Sequence, residues 1–99
     1  MKDKKIIFMG SPKIASDYLE ALIENNFIIS AVFSQPPKKK FRGMKVIESE
    51  VHQLAKKNNI EIFCPNTIDK NTIETVKKLN PDLIIVMAYG KILPKDILD

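Results

Sequence analysis

This sequence of 99 residues is short of cysteine and histidine, and both shortages limit its chemistry. It has one cysteine, Cys64, and one histidine, His52. A single cysteine cannot form a disulfide within the chain or a cysteine-based metal cluster. The scattered carboxylates lack the spacing of metal ligands. We therefore predict that the chain uses no metal.

Long apolar runs are also missing. No run approaches the roughly 20 residues that a transmembrane helix needs, so we expect no membrane association. The apolar part of the basic amino terminus is only Ile6 to Met9, shorter than the roughly 7–15 residues of a signal-peptide core. Without an export signal, the single cysteine is expected to stay reduced in the cytoplasm, with an organelle matrix as the other location that fits.

Basic charge is concentrated in one short segment. The chain has 16 basic and 12 acidic residues, and five basic residues and no acidic ones lie within residues 38–45: Lys38, Lys39, Lys40, Arg42 and Lys45. Lysines can contact phosphates, an arginine can pair with base edges, and the interleaved Phe41 can stack on an unpaired base. The segment therefore favours an anionic partner such as RNA, and a solvated surface loop is the alternative.

The apolar pattern alternates between strands and helices. Short apolar runs predict four strands, at 5–9, 27–33, 60–63 and 82–88, and three- and four-residue spacing predicts helices over about 12–25, 46–57 and 71–80. Such alternation indicates an α/β fold, a Rossmann-like, doubly wound parallel sheet with strand order 3-2-1-4. The fourth strand is apolar on both faces yet would lie at the edge, so we expect a sheet that is incomplete at the C-terminus.

The turn after the first strand is Gly10-Ser11-Pro12. Ser11 is a predicted helix N-cap with Pro12 at the first helical position. The turn lacks the G-x-G-x-x-G spacing of a dinucleotide site, and the sequence has no phosphate-binding lysine motif. Two interpretations stay open for Gly10, Ser11 and Pro12: a tight turn with a capped helix, or one wall of an active-site crevice.

Reactive side chains form no catalytic pattern in the sequence. His52 follows the core position Val51 and is expected to face solvent, and Cys64 has no evident basic partner. No nucleophile–base pair is visible. A further local signal, Asn71 followed by Glu74, resembles a capping box at the start of the third helix.

Three segments resemble the methionyl-tRNA formyltransferase family. The first is Ile7-Phe8-Met9-Gly10-Ser11-Pro12, which resembles that family's Gly-Thr-Pro opening. The second runs from Ser34-Gln35-Pro36 through Arg42-Gly43 to Leu54-Ala55, and the third from Asn80-Pro81-Asp82 to Ile92-Leu93-Pro94. The resemblance extends over the whole chain, and its last segment is typical of folate-dependent formyltransferases as a group.

The resemblance implies transfer of a formyl group from 10-formyltetrahydrofolate to the amino group of methionyl initiator tRNA, in translation initiation. It also implies roles for two segments. The basic segment would enter the tRNA acceptor stem, with Arg42 important for recognition and Lys38, Lys39, Lys40 and Lys45 on phosphates, while Phe41 is a tRNA-binding candidate only through base stacking. The segment after the fourth strand would line the folate pocket, largely through its backbone: Tyr89, Gly90, Lys91, Ile92 and Leu93.

Departures from the family concern the loop and the length of the chain. Phe41 stands where the family usually has glycine, and Pro37 where it has aspartate. The family's catalytic asparagine, histidine and aspartate lie beyond the fourth strand. We therefore expect residues 1–99 to be the N-terminal portion of the catalytic domain, monomeric and inactive alone, without the rest of that domain and the C-terminal tRNA-binding domain.

Two other functions stay open from the sequence. One is a folate-dependent formyltransferase acting on an amino sugar-nucleotide, in which the basic segment would meet a pyrophosphate. The other is a non-catalytic RNA-binding module, which would bind RNA without folate.

Overall fold

A four-stranded parallel sheet with helices on both faces forms the centre of the computed structural model, which describes residues 3–40 and 45–90. The elements in chain order are β1 (Lys5–Gly10), α1 (Lys13–Glu24), β2 (Ile28–Phe33), β3 (Lys38–Lys40), β4 (Lys45–Ile47), α2 (Glu50–Lys57), β5 (Ile62–Phe63), α3 (Lys70–Leu79) and β6 (Leu83–Met87). In the described part of the chain, no helix combines the length and the apolar character needed to cross a bilayer.

The order of the large sheet is β5-β2-β1-β6, and all its neighbours are parallel. This order confirms the predicted 3-2-1-4 arrangement. β1 lies between β2 and β6, so Ile7 has Ala31 on one side and Ile84 on the other. The carboxyl ends of β1, β2 and β6 consequently meet at one edge of the sheet, which is where open α/β folds place their ligands.

Alternation along β1 divides the core between the two faces of the sheet. Ile7 and Met9 belong to one buried cluster, which also includes Val76 of α3. Phe8 belongs to the other cluster, which includes residues of α1 and α2 such as Leu19 and Val51. Because successive side chains of a strand point to opposite faces, a continuous apolar run here supplies both clusters.

All three helices end at asparagine. The residues after the C-caps of α1 and α2 are Asn26 and Asn59, with φ angles of 65° and 58°. The C-cap of α3 is Asn80, with a φ angle of 48°. Asparagine is one of the few residues besides glycine that adopts this left-handed conformation readily. The predicted ends of the first and third helices are thereby confirmed.

The starts of the helices differ from the sequence prediction. Pro12, not Ser11, is the N-cap of α1, and the cap makes no side-chain hydrogen bond. The N-cap of α3 is Asp69, whose carboxylate accepts from the Thr72 backbone, so the predicted capping box at Asn71 is wrong. The Ser11 hydroxyl bonds to the Tyr89 carbonyl and not to α1. At α3 the carboxylate of Asp69, two positions before Asn71, bonds to the first turn.

The predicted second helix begins too early. Residues 45–47 form β4, which pairs antiparallel with β3. The strands of the basic segment therefore form a hairpin, with β3 before residues 41–44 and β4 after them. The helix begins only after Ser49, whose side chain accepts from the His52 backbone and closes its first turn. The apolar residues Val46 and Ile47 match both periodicities, and the hairpin pairing determines which one forms.

β6 is an edge strand in the described part of the sheet. It pairs with β1 on one side, and Leu83 and Val86 are 40% and 45% exposed. The expected edge position of this apolar strand is therefore observed.

Candidate functional site

Three chain segments meet where β1, β2 and β6 end. Ser11 follows β1, Ser34 and Gln35 follow β2, and Tyr89 lies two residues beyond β6. The Tyr89 backbone carbonyl accepts from the Ser11 hydroxyl at 3.3 Å and from the Gln35 side-chain amide at 3.1 Å. The Gln35 backbone N–H donates to the Ser11 hydroxyl at 3.0 Å. These bonds hold the three segments together at the predicted crevice.

The hydroxyls of three serines are linked to one another at the crevice wall. Ser11 donates to the Tyr89 carbonyl, and Ser34, which is buried, donates to Ser11 at 3.4 Å. Ser34 also makes a short contact with the Ser49 hydroxyl, in which either oxygen can be the donor. These hydroxyls bond to one another and to the backbone, so they brace the crevice wall and are not paired with a base as nucleophiles are.

A cavity of about 180 Å³ lies in front of this wall. Ser11 and Pro12 line one side, and Lys38 lines it from the hairpin. The remaining lining residues come from the end of β2 and the start of α2: Gln35, Pro36, Ile47, Glu48, Ser49 and Glu50. The cavity thus joins the crevice to the first lysine of the basic hairpin.

Two glycines permit close approach at this edge. A Cβ at Gly10 would lie 2.7 Å from the Met87 carbonyl and 2.8 Å from the Ala15 Cβ, so only glycine fits beneath the turn. Gly90 has a φ of 82°, and a Cβ there would collide with the Gln35 amide. Ala88 also has a positive φ, 50°, which is unfavourable for alanine. The turn after β6 is therefore strained at Ala88 and relaxed at Gly90, two positions later.

The three predicted crevice residues lie at the end of β1. Ser11 and Pro12 line the cavity, while Gly10 is buried and does not line it. Of the predicted tRNA-binding residues, Lys38 is exposed and lines the cavity, and Lys39, Lys40 and Lys45 lie in the hairpin strands. Phe41 and Arg42 lie outside the described residues.

The predicted folate-binding residues follow β6. The Tyr89 backbone carbonyl faces Ser11 and Gln35, and its side chain is buried in the core. Gly90 is exposed and lies against the Gln35 side chain. Lys91, Ile92 and Leu93 lie outside the described residues.

Two predictions about reactive side chains are wrong: His52 is largely buried and does not face solvent, and Cys64 has a basic partner in His52. The His52 side chain is only 14% exposed. Its Nδ1 lies 3.5 Å from the Cys64 sulfur, and its Nε2 lies 3.3 Å from the Glu48 carboxylate, which Lys56 also approaches at 3.5 Å. Glu48 lies just before the N-cap of α2, His52 lies four positions later in the first turn of the helix, and Cys64 follows β5. The sequence prediction missed this cluster because it depends on how α2 packs beside the end of β5.

Ionisation of the Cys64 thiol is disfavoured. Burial raises its pKa, and the negative charge of Glu48 raises it further. The resting form is therefore the thiol, whose sulfur lies 3.5 Å from His52 Nδ1. Within residues 3–40 and 45–90, no three histidine, cysteine or acidic side chains are placed to hold a metal ion.

Sequence reasoning missed Ser34, Gln35 and Ser49 as crevice residues. Ser34 and Gln35 immediately follow a buried strand, and that position is the signal that could have found them. Ser49 carries no comparable signal, because its place depends on the hairpin that precedes α2.

Comparison with known sequences gives a consistent result. Residues 4–99 match the profile of the formyl transferase family. The chain is 48% identical over 96 residues to the methionyl-tRNA formyltransferase of Clostridioides difficile (strain 630), a match that covers 96% of this chain and 31% of that protein. The corresponding protein of Campylobacter jejuni (strain RM1221) is 50% identical over 100 residues, covering 97% of this chain and 33% of its own length. The chain spans about a third of the length of these curated relatives.

Proposed function

The chain belongs to the formyl transferase family, and we propose that it is the N-terminal part of an enzyme that transfers a formyl group from 10-formyltetrahydrofolate to the amino group of methionyl initiator tRNA. The family implies a folate-type formyl donor. The tRNA acceptor is supported by the methionyl-tRNA formyltransferases to which the chain is similar and by the basic hairpin. We place the enzyme in the cytoplasm as a monomer.

The observation that carries this proposal is the position of Lys38. It lines the same cavity as Ser11, and it begins the hairpin whose strands also contain Lys39, Lys40 and Lys45. Lysines bind phosphates as point charges, with an affinity that falls as salt rises. A nucleic acid whose backbone lies along the hairpin would therefore present its end at the crevice. Arg42 and Phe41 are proposed to contact the acceptor stem.

The turn after β6, which Ser11 and Gln35 hold beside the crevice, suits a folate. The carbonyl of Tyr89 is held by Ser11 and Gln35, which fixes the turn that ends at Gly90. A turn held in this way presents its backbone to a ligand without further loss of conformational entropy. We propose that Tyr89 and Gly90, continuing into Lys91, Ile92 and Leu93, form one wall of the folate site.

The chemistry of the transfer defines what this part supplies. The amine attacks the formyl carbon as a neutral nucleophile, and the resulting oxyanion needs hydrogen-bond donors and a group that moves protons. The hydroxyls of Ser11 and Ser34 already donate hydrogen bonds within the crevice wall. The residues described here therefore position the two substrates, and we assign none of them as the acid or base.

The acceptor is tested by a competition between two substrates. The native-length protein is supplied with formyl-labelled 10-formyltetrahydrofolate and with methionyl-tRNA or an amino sugar-nucleotide. We expect label on the methionyl-tRNA and none on the sugar. Label on the sugar would show instead a formyltransferase that acts on an amino sugar-nucleotide. RNA binding without any formyl transfer would favour a non-catalytic RNA-binding module.

A further inference from the structure

The basic hairpin is joined to the rest of the protein by two short segments. Within the described chain, β3 and β4 pair only with each other, and neither adds a strand to the large sheet. Val46 of β4 is 58% exposed, so this side of the hairpin packs against little else. The orientation of the hairpin therefore depends on the segments that enter and leave it, residues 34–37 and 48–49.

Two serine hydroxyls meet across the base of the hairpin. Ser34 begins the entering segment and Ser49 ends the leaving one, and their side chains are in short contact although they lie 15 positions apart. The first pair of the hairpin, Lys38 with Ile47, is separated from these serines by residues 35–37 on one side and by a single residue on the other. Two of residues 35–37 are prolines, whose φ is fixed by the ring. The serine contact thus closes the hairpin at its base.

Both serines are themselves held on rigid elements. Ser34 is buried, and its backbone N–H donates to the Phe63 carbonyl at 3.0 Å, which holds it on the large sheet. Ser49 is the N-cap of α2. The first turn of that helix is held on the turn after β1, because the Val51 backbone N–H donates to the Ser11 carbonyl at 3.2 Å. A bond between the two hydroxyls therefore fixes the spacing of the two ends of the hairpin.

The placement of the hairpin decides what lies at the crevice. Lys38 and Ile47, the pair nearest the base, both line the cavity, and Ser49 lines it as well. Lysine charges attract phosphates wherever the hairpin points, whereas group transfer requires the reacting groups to be aligned. A displacement of about 1 Å caused by a change far from the reacting atoms can cost about a hundredfold in rate.

We propose that Ser34 and Ser49 are positioning residues, whose contact holds the basic hairpin in the orientation that delivers the end of a bound tRNA to the crevice. The lysines supply the affinity, and the serine pair supplies the geometry. The inference rests on the proposed function, in which the hairpin binds tRNA.

Distances between spin labels on the native-length protein test the geometry without any need for activity. Pairs of labels are attached at exposed positions in a Cys64→Ser background: Val46→Cys with Glu20→Cys for the hairpin, and Glu20→Cys with Lys77→Cys for the body. We expect Ser34→Ala to broaden the distribution of distances in the first pair and to leave the second unchanged. Ser49→Ala repeats the test at a position that is not fully buried. Equal broadening in both pairs would show a general loss of structure and would overturn the proposal, as would no broadening in either.

A double-mutant cycle tests the consequence for transfer. Ser34→Ala and Ser49→Ala are each expected to lower kcat with methionyl-tRNA by about tenfold, and the double variant by no more than the larger single loss, because both remove one contact. The slope of log Kd for tRNA against log salt concentration should stay unchanged, since the lysines remain. Ser49→Thr, which keeps the hydroxyl and the cap, should restore kcat, and Ser16→Ala is the control without effect.

Additive losses in the double variant would overturn the proposal, as would an unchanged kcat. An unsubstituted protein that transfers no formyl group to methionyl-tRNA would refute the proposed function instead. The spin-label distances then still decide whether the two serines hold the hairpin.

Discussion

The hydroxyl of Ser11 donates to the backbone carbonyl of Tyr89 at 3.3 Å, across 78 positions of the chain. The bond joins the turn after β1 to the turn after β6, and the Gln35 amide donates to the same carbonyl. The crevice wall is thus a property of the assembled sheet, because its three segments are distant in sequence.

Removing the Ser11 hydroxyl should therefore weaken the fold. Ser11→Ala leaves the Gln35 backbone N–H without its acceptor in a partly buried place, which we expect to cost about 1–3 kcal/mol in the free energy of unfolding. Ser16→Ala is the control, because Ser16 makes one long, exposed bond to the Glu50 carbonyl and should change stability by less than about 0.5 kcal/mol. Urea unfolding of both variants measures the difference, and equal losses would contradict a bracing role for Ser11.

The turn after β6 predicts opposite effects of substitution at Ala88 and at Gly90, two positions apart. Ala88 has a φ of 50°, so Ala88→Gly relieves strain and should leave stability unchanged or raise it by up to about 1 kcal/mol. Gly90 has a φ of 82° and lies against Gln35, so Gly90→Ala should cost about 1–2 kcal/mol or more. Thermal melts of the pair test the conformation of the turn, and a destabilising Ala88→Gly would show that Ala88 is not strained.

Acid should destabilise the protein partly through Asp69. Hydrogen bonds from the Thr72 backbone and hydroxyl hold the pKa of this carboxyl below its usual 3.8. The stabilisation is therefore present above about pH 3.8 and is lost as the pH falls through the lower folded value. Asp69→Asn keeps a capping oxygen without a titrating group. We expect the stability of the variant to fall less between pH 5 and pH 2, and parallel acid curves would contradict the assignment of the cap.

Alkali should act through Tyr89. Its pKa is raised from 10.0 to about 12, first by burial and then by the charge of Cys64. The folded state therefore favours the protonated phenol, and its stabilisation is complete below pH 10 and is lost as the pH rises through about 12. The difference in high-pH absorbance between the unsubstituted protein and Tyr89→Phe isolates this phenol, and it should show a single late titration coincident with unfolding. Titration near pH 10 without unfolding would place Tyr89 outside the core.

The sheet could be predicted from the sequence, since each strand is an apolar run closed by a turn residue. Val46 and Ile47 could not be assigned in this way, because they fit a helix and a strand equally well. Their pairing with β3 decides between the two, and that pairing is a contact between segments.

The sequence also indicated one half of the site better than the other. The position of Ser11 after the first buried strand predicts both a helix cap and a crevice residue, and its hydroxyl bonds to the Tyr89 carbonyl and caps no helix. The cluster of His52, Cys64 and Glu48 was missed altogether, since it depends on the exact rotation of α2 against β5. Positions at the ends of strands follow from topology, whereas side-chain pairs across elements require the packed structure.

The contribution of the basic hairpin to tRNA binding is the central claim, and steady-state kinetics of the native-length protein test it most directly. The variant replaces Lys38, Lys39 and Lys40 by alanine, and the control replaces the exposed lysines of α3, Lys70, Lys77 and Lys78, so both lose three charges. We expect the hairpin variant alone to raise the KM for methionyl-tRNA, with the KM for 10-formyltetrahydrofolate unchanged. The slope of log KM for methionyl-tRNA against log salt concentration should fall by about 2–3 in that variant. Equal effects of the two triple variants on the KM for methionyl-tRNA would contradict the account.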